Sequence, residues 1–122
     1  MEQEYKSALS ALESFRTNRT NGDEEELKQG KLYFDWITKK TTLIEEEKTF
    51  TIPEGIEIKR GKVFWIEFGF NVGEEFGGRH PGIILKKGHH TVIALPISTQ
   101  QPTEKQLESG IYVPIDRVYR FK

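Results

Sequence analysis

The residues of this chain that are most suited to catalysis or ligand binding lie in one glycine-rich stretch, residues 69–81. Apolar-rich runs precede and follow the stretch, a pattern that predicts a long loop between two strands. Loops carried by rigid sheets often hold the chemistry of a protein. The reactive and conformationally permissive residues of this predicted loop are Glu74, Glu75, Gly77, Gly78, Arg79, His80 and the closing Pro81.

Arg79 and His80 have side chains suited to work on a phosphodiester. An arginine supplies fixed positive charge and a bidentate fork for phosphate oxygens, whereas a histidine transfers protons near neutral pH. A reaction at a phosphodiester without a metal needs a base for the nucleophile, positive charge at the phosphorus and an acid for the leaving oxygen. The pair could meet these needs, provided that both side chains face the substrate. The alternative is a surface pair that only ends the loop.

The carboxylates and glycines of the loop extend this candidate site. Glu74 and Glu75 could orient the arginine or the histidine, or accept a proton; the alternative is a solvated loop pair. Gly77 and Gly78 are predicted to allow positive φ angles and a close approach of the backbone, or else only to make the loop pliable.

Hydroxyl and basic side chains elsewhere are further candidates for phosphate binding. Ser98, Thr99 and Gln100 close a later apolar run, and a hydroxyl there could bind a phosphate oxygen or cap a turn. Lys59 and Arg60 could follow a nucleic-acid backbone, or form a solvated rim.

Metal and cofactor chemistry is not indicated by the sequence. The adjacent pair His89-His90 has no carboxylate or third histidine near it in the sequence, so a solvated turn is favoured over a metal site. The chain contains no cysteine, which excludes disulfides, thiol catalysis and zinc–cysteine sites. We therefore expect no cofactor and no metal.

Charge and hydropathy restrict the location and the partners. No apolar run approaches the roughly 18 residues of a membrane span, and the N-terminus lacks a signal-peptide core, so we expect a cytoplasmic protein that does not enter a membrane. Residues 1–50 hold 8 Lys/Arg against 11 Asp/Glu, whereas residues 51–122 hold 10 against 8. The mildly basic second part is compatible with a partner that carries phosphates.

The hydrophobic periodicity divides the chain near Pro53 and predicts an α+β fold. Apolar residues at three- and four-residue spacing predict a helical hairpin, the helical arm of residues 1–50. A period of two then predicts a small antiparallel β-barrel over residues 51–122, with Trp65 in its core or, alternatively, serving as a platform for base stacking. The predicted strands are residues 62–68, 82–87, 91–98 and 111–115, with a polar loop over 99–109.

Residues 60–68, 72–81 and 94–100 together resemble the MazF/PemK toxins, small endoribonucleases of toxin–antitoxin pairs. The family pattern is an R-G-(D/E)-aromatic opening strand, a loop ending in G-x-R-P, and a strand ending in P-(I/V)-T-S. The resemblance covers about residues 59–100 and implies an SH3-like barrel, a homodimer, an antitoxin partner and metal-independent cleavage of single-stranded RNA. The resemblance also places Arg79, His80 and Ser98 at or beside the catalytic positions of the family. The chemistry of the side chains and glycines described above adds the candidate substrate-binding residues Glu74, Glu75, Gly77, Gly78, Thr99, Gln100, Lys59 and Arg60.

Two departures from the family pattern bear on these expectations. His80 occupies the place of the family arginine before proline, with Arg79 one place earlier, and Ser98 occupies the place of the catalytic threonine. Family members also usually continue beyond the equivalent of Lys122, so we expect a shortened C-terminus alongside the N-terminal helical extension. A non-catalytic module of the same fold, binding RNA, DNA or a protein, is the alternative function.

Overall fold

The computed structural model describes residues 1–73, 75–98, 100–110 and 112–113. Its elements are α1 (Glu2–Thr20), α2 (Glu24–Glu46), β1 (Val63–Glu67), β2 (Arg79–Lys87), β3 (Val92–Pro96) and α3 (Glu104–Glu108). Helices combined with an antiparallel sheet confirm the α+β class. The chain forms two compact units, the helical unit Met1–Thr51 and the sheet unit Ile52–Lys122.

Local signals determine where the two long helices begin. Asp23 caps α2: its side chain accepts a hydrogen bond of 2.9 Å from the backbone N–H of Glu26, and the Glu26 side chain accepts one of 3.1 Å from the Asp23 N–H. This reciprocal capping box satisfies two donors that a helix start leaves unpaired. At the start of α1, the terminal ammonium contacts Glu4 and holds the pKa of that exposed carboxyl below its ordinary value.

Aromatic contacts and one glycine join the two helices. The ring of Phe15 lies 4.7 Å from that of Tyr33 and 5.7 Å from that of Phe34. Gly30 is the buried residue of α2, and a Cβ atom at this position would lie 2.9 Å from the Cβ of Arg19. The missing side chain therefore lets the helices approach closely, which explains a residue of poor helix propensity inside a helix.

The three strands form an open antiparallel sheet in the order β1-β2-β3. Since residues opposite one another point to the same side of a sheet, the register defines two faces. The His80 face carries Phe64, Ile66, His80, Gly82, Ile84, Ala94 and Pro96. The Trp65 face carries Val63, Trp65, Glu67, Arg79, Pro81, Ile83 and Leu95.

The two faces differ in how far they are covered. On the His80 face Gly82 and Ile84 are buried, and Ile84 retains only 3% of its exposure. On the Trp65 face Trp65 is 58% exposed and Leu95 is 50% exposed. The sequence-based prediction that Trp65 belongs to the core is therefore wrong, because the face to which it points is largely open.

A β-bulge interrupts the pairing of β2 with β3. Ile84 lies opposite Ala94, but Lys86 lies opposite Ile93, so Leu85 is an extra residue on β2. A bulge of this kind reverses the alternation of the strand beyond it. Lys86 consequently shares the Trp65 face with Ile93, although it is two residues from Ile84.

The structure changes two sequence-based boundaries and leaves a third untested. First, β2 begins at Arg79, so Arg79, His80 and Pro81 lie on a strand and not in the loop. Second, the predicted polar loop over 99–109 contains α3, whose Thr103 and Gln106 form a capping box. Third, most of the predicted strand 111–115 falls outside the described residues. The sheet is open and is not shown to be an SH3-like barrel.

The helices that the structure describes were compared with the requirements of a membrane span. Across residues 1–73, 75–98, 100–110 and 112–113, no helix combines the length and the hydropathy that a bilayer span requires.

Candidate functional site

The loop between β1 and β2, residues 69–78, is closed at its base by the backbone. The N–H of Phe68 donates to the carbonyl of Gly78 at 2.8 Å, and the N–H of Gly78 donates to that of Gly69 at 2.7 Å. Gly78 has a φ of 77°, and a Cβ on Gly77 would lie 2.7 Å from the Gly69 carbonyl oxygen. The predicted positive φ and the predicted close approach are both present, one at each glycine.

Asn71 organises the interior of this loop. Its Nδ2 donates to the carbonyl of Phe68 at 3.0 Å and to that of Phe76 at 2.6 Å. The Phe76 ring lies 4.6 Å from the His80 ring and 5.2 Å from the Phe68 ring. The closed loop therefore places an aromatic ring against the imidazole of His80.

Neither Asn71 nor Phe76 is among the candidate residues predicted from the sequence. Asparagine is a frequent turn residue because its side chain hydrogen-bonds nearby backbone, so Asn71 carried a recognisable signal. The contact of Phe76 with His80 joins a loop residue to a strand residue, and periodicity gives no information about such a contact.

The pairing of β2 with β3 extends toward Ser98. Beyond the last paired residue of β3, the N–H of Ile97 donates to the carbonyl of Pro81 at 2.7 Å, which continues the register by one residue. One further step along the two strands leads to His80 and Ser98, which are not themselves among the paired residues. Both residues are half-buried.

The hydroxyl of Ser98 already has one local partner. Its Oγ accepts a hydrogen bond of 3.2 Å from the backbone N–H of Gln100, so the turn-capping interpretation of this hydroxyl is observed. A hydroxyl has one donor as well as its acceptor lone pairs. The Ser98 proton can therefore be directed at a phosphate oxygen while the turn remains capped.

Arg79 lies on the opposite face of the sheet from His80. Glu67 is its partner on β1, and its guanidinium carbon lies 5.6 Å from the centre of the Trp65 ring. Consecutive strand residues point to opposite faces, so the structure does not bring Arg79 together with His80 and Ser98. The sequence analysis placed the pair in a loop, where this alternation does not apply.

The remaining predicted binding residues are dispersed. Lys59 and Arg60 precede β1 at the far end of the sheet, where the N–H of Gly61 donates to the carbonyl of Ile84 at 2.8 Å. Ile84 is four residues from His80, or about 13 Å along a strand. Lys59 also forms a 3.2 Å ion pair with Glu57.

Among the other predicted residues, Glu75 and Gln100 are exposed near the His80 end of the sheet unit. Glu74 and Thr99 lie outside the described residues. Within the segments that the structure describes, no group of three or more His, Cys, Asp or Glu side chains is arranged to hold a metal ion. The rings of His89 and His90, at the turn between β2 and β3, lie 4.2 Å apart.

Comparison with known proteins gives one match. The model of a family described as PemK-like, MazF-like toxin of type II toxin-antitoxin system matches residues 59–120, which is 62 of the 122 residues. No curated protein and no solved structure significantly matches the chain. The matched range contains the whole sheet, α3 and the three predicted catalytic residues, and it extends beyond residue 100, where the quoted motifs end.

Proposed function

The chain belongs to the PemK-like, MazF-like toxin family, and from this membership we propose that it is the toxin of a type II toxin–antitoxin pair. Its proposed activity is the metal-independent cleavage of single-stranded RNA. An antitoxin protein is the partner that such a toxin requires. The observation that carries the proposal is the family match over residues 59–120, a range that contains His80, Ser98 and the glycine-rich loop.

The proposed chemistry uses the 2′-hydroxyl of the substrate as the nucleophile. Its oxygen attacks the adjacent phosphorus, the bond from phosphorus to the 5′-oxygen breaks, and the products are a 2′,3′-cyclic phosphate and a 5′-hydroxyl. The 2′-hydroxyl loses one proton and the 5′-oxygen gains one, so water is not consumed in this step. An imidazole can exchange such protons near neutral pH, and we assign this role to His80.

Ser98 and Arg79 have separate parts in this proposal. The Ser98 hydroxyl orients the reacting phosphate by donating a hydrogen bond to one of its oxygens. Arg79 supplies fixed positive charge, but it does so from the Trp65 face. We therefore assign Arg79 to a flanking phosphate instead of the phosphorane, which revises the role that the sequence suggested.

The proposed assembly is a homodimer of SH3-like barrels. Membership of the family supports this assembly, and a symmetric pair is the commonest form of soluble oligomer. We expect a sedimentation mass near twice the 14.2 kDa of the chain at micromolar concentration. A mass equal to that of one chain at that concentration would contradict the homodimer.

A non-catalytic module that binds RNA, DNA or a protein is the second candidate. Two observations favour it: the Ser98 Oγ accepts a hydrogen bond from the Gln100 N–H, and Arg79 points away from His80. In this alternative the same residues contact a ligand without reacting with it.

One experiment separates the two candidates. The purified chain is incubated in EDTA with a long single-stranded RNA, and the new ends are mapped. The proposed enzyme leaves 5′-hydroxyl ends that a kinase can label without prior phosphatase treatment. Intact RNA after prolonged incubation, with binding retained in a gel-shift assay, would exclude the enzyme and support the module.

A further inference from the structure

We propose that Trp65 and Arg79 form a binding site for one nucleotide of single-stranded RNA, in which the indole stacks on a base and the guanidinium contacts the adjoining phosphate. This site lies on the Trp65 face, whereas the proposed reaction takes place on the His80 face. The inference rests on the proposed RNA substrate, but it concerns binding and not cleavage.

The geometry of the two side chains carries the proposal. The Arg79 guanidinium lies 5.6 Å from the Trp65 ring centre, within the range of a cation–π contact. This contact keeps a planar cation beside an indole that is 58% exposed. An aromatic ring with a neighbouring cation is the arrangement that binds single strands without reading their sequence, because every base has a π-face.

The charge of the strands favours a nucleic acid over a protein as the occupant. By the strand register, the Trp65 face carries Arg79 and Lys86 against the single acid Glu67, whereas Lys87 lies on the other face. Glu67 lies opposite Arg79 and also accepts a hydrogen bond of 3.2 Å from the N–H of Gly69. The Trp65 face therefore presents net positive charge, which a polyanion complements.

The position of the site agrees with a substrate that also reaches His80. Arg79 and His80 are consecutive, so their Cα atoms are about 3.8 Å apart. Their side chains point to opposite faces, so a flexible RNA has to pass around this end of the sheet to contact both, with one segment at His80 and another at Trp65 and Arg79. The Trp65 face then holds the RNA while the His80 face acts on it.

The test measures binding of a fluorescein-labelled, single-stranded RNA with 2′-O-methyl riboses, which cannot be cleaved because it lacks 2′-hydroxyls. Anisotropy titrations compare the full chain with Trp65→Ala, Trp65→Phe, Arg79→Ala and Ile93→Ala. Ile93 is the matched control: it is 58% exposed on the same face, but it is aliphatic and lies near the opposite end of the sheet.

We expect Trp65→Ala to weaken binding about tenfold, Trp65→Phe to recover most of that loss because it keeps a ring, and Ile93→Ala to have no effect. Arg79→Ala should lower the slope of log affinity against log salt by about 0.7, the value for one phosphate contact on a single strand. In a Trp36→Phe background, RNA should quench the fluorescence of Trp65.

Equal affinities for the full chain and Trp65→Ala would overturn the proposal. A loss of self-association in Trp65→Ala and Ile93→Ala, with RNA affinity unchanged, would overturn it in favour of a protein interface. If binding depends on Trp65 but natural RNA is not cleaved, the proposed enzyme activity is refuted and the proposed RNA site is supported. If natural RNA is cleaved but binding does not depend on Trp65, the enzyme activity is supported and the RNA site is refuted.

Discussion

The helical unit and the sheet unit are held together in different ways. In α1 and α2 each backbone donor finds its partner about one turn away, and the capping box of Asp23 and Glu26 spans three residues. In the sheet unit, Ile84 donates to the carbonyl of Lys62 and Ile97 to that of Pro81, across 22 and 16 residues respectively. Local sequence therefore determines the first unit, and long-range register determines the second.

The two units also differ in whether they contain candidate functional residues. The helical unit contains long, regular elements but none of the residues proposed to act on RNA. The sheet unit has short strands, and its register decides which side chains share a face: His80 lies on one face, and Trp65 lies with Arg79 on the other. The region that is harder to predict is the one that carries the proposed function.

The substitution with the largest expected effect is His80→Ala, which tests whether the proposed reaction depends on the sheet unit alone. His80→Ala should reduce RNA cleavage about 100- to 10,000-fold, because it removes a general acid–base group. Initial rates of cleavage on a single-stranded RNA measure this loss.

The matched control for His80→Ala is His90→Ala, a histidine at the turn between β2 and β3, which should cleave like the original chain. In the helical unit, Arg19→Ala should also leave the rate unchanged. Cleavage by His80→Ala at the original rate would remove this histidine from the mechanism.

Gly77→Ala tests how far the sheet unit depends on contacts between distant residues. The added Cβ would lie 2.7 Å from the Gly69 carbonyl oxygen, a backbone atom that cannot move without opening the base of the loop. We expect a loss of about 2 kcal/mol in the free energy of unfolding, measured by urea denaturation. Val72→Ala, in the same loop at an 83% exposed position, should be neutral; an equal loss in both would contradict the close-approach argument.

Gly30→Ala tests whether helix propensity or packing governs the helical unit. In an isolated helix the substitution would stabilise by about 1 kcal/mol. Here the new Cβ would lie 2.9 Å from the Arg19 Cβ, so we expect a net loss of about 1 kcal/mol as the helices separate. Lys28→Ala, at an exposed position of α2, serves as the control in thermal denaturation. A higher melting temperature for Gly30→Ala would show that propensity prevails.

The smallest expected effect is at the start of α2. Asp23→Ala removes the side-chain acceptor of the capping box and should cost about 0.5 to 1 kcal/mol. Asp23→Asn keeps an acceptor and should retain most of that stability. Far-UV circular dichroism during thermal denaturation reports the difference, and indistinguishable curves for the two variants would mean that the cap contributes little.

The sequence predicted the local features of the fold well. The hairpin of helices, the approximate positions of three strands, and the positive φ and close backbone approach expected of the Gly77-Gly78 pair are all present in the structure. These features depend on neighbouring residues, so periodicity and turn chemistry suffice to find them. Helix α3 was missed although its capping box, Thr103 and Gln106, is visible in the sequence.

What the sequence could not give was the face to which each site residue points. The start of β2 was placed at Gly82, three residues too late, and this left Arg79 and His80 in a loop where both could turn toward one phosphate. In the structure Arg79 pairs with Glu67 and His80 pairs with Ile66. The two side chains therefore point to opposite faces of the sheet. Trp65 was misplaced for a related reason, because alternation defines two faces but does not say which one the rest of the chain covers.

The extra residue Leu85 shifts the phase of β2 by half a pleat. A mutational scan that substitutes every second residue from His80 would begin on the better covered face and finish, at Lys86, on the open one. The tolerance profile would then appear to lose its period of two, as though the strand had ended. Sequence variation along this strand is therefore best interpreted in two segments, joined at the bulge and each with its own alternation.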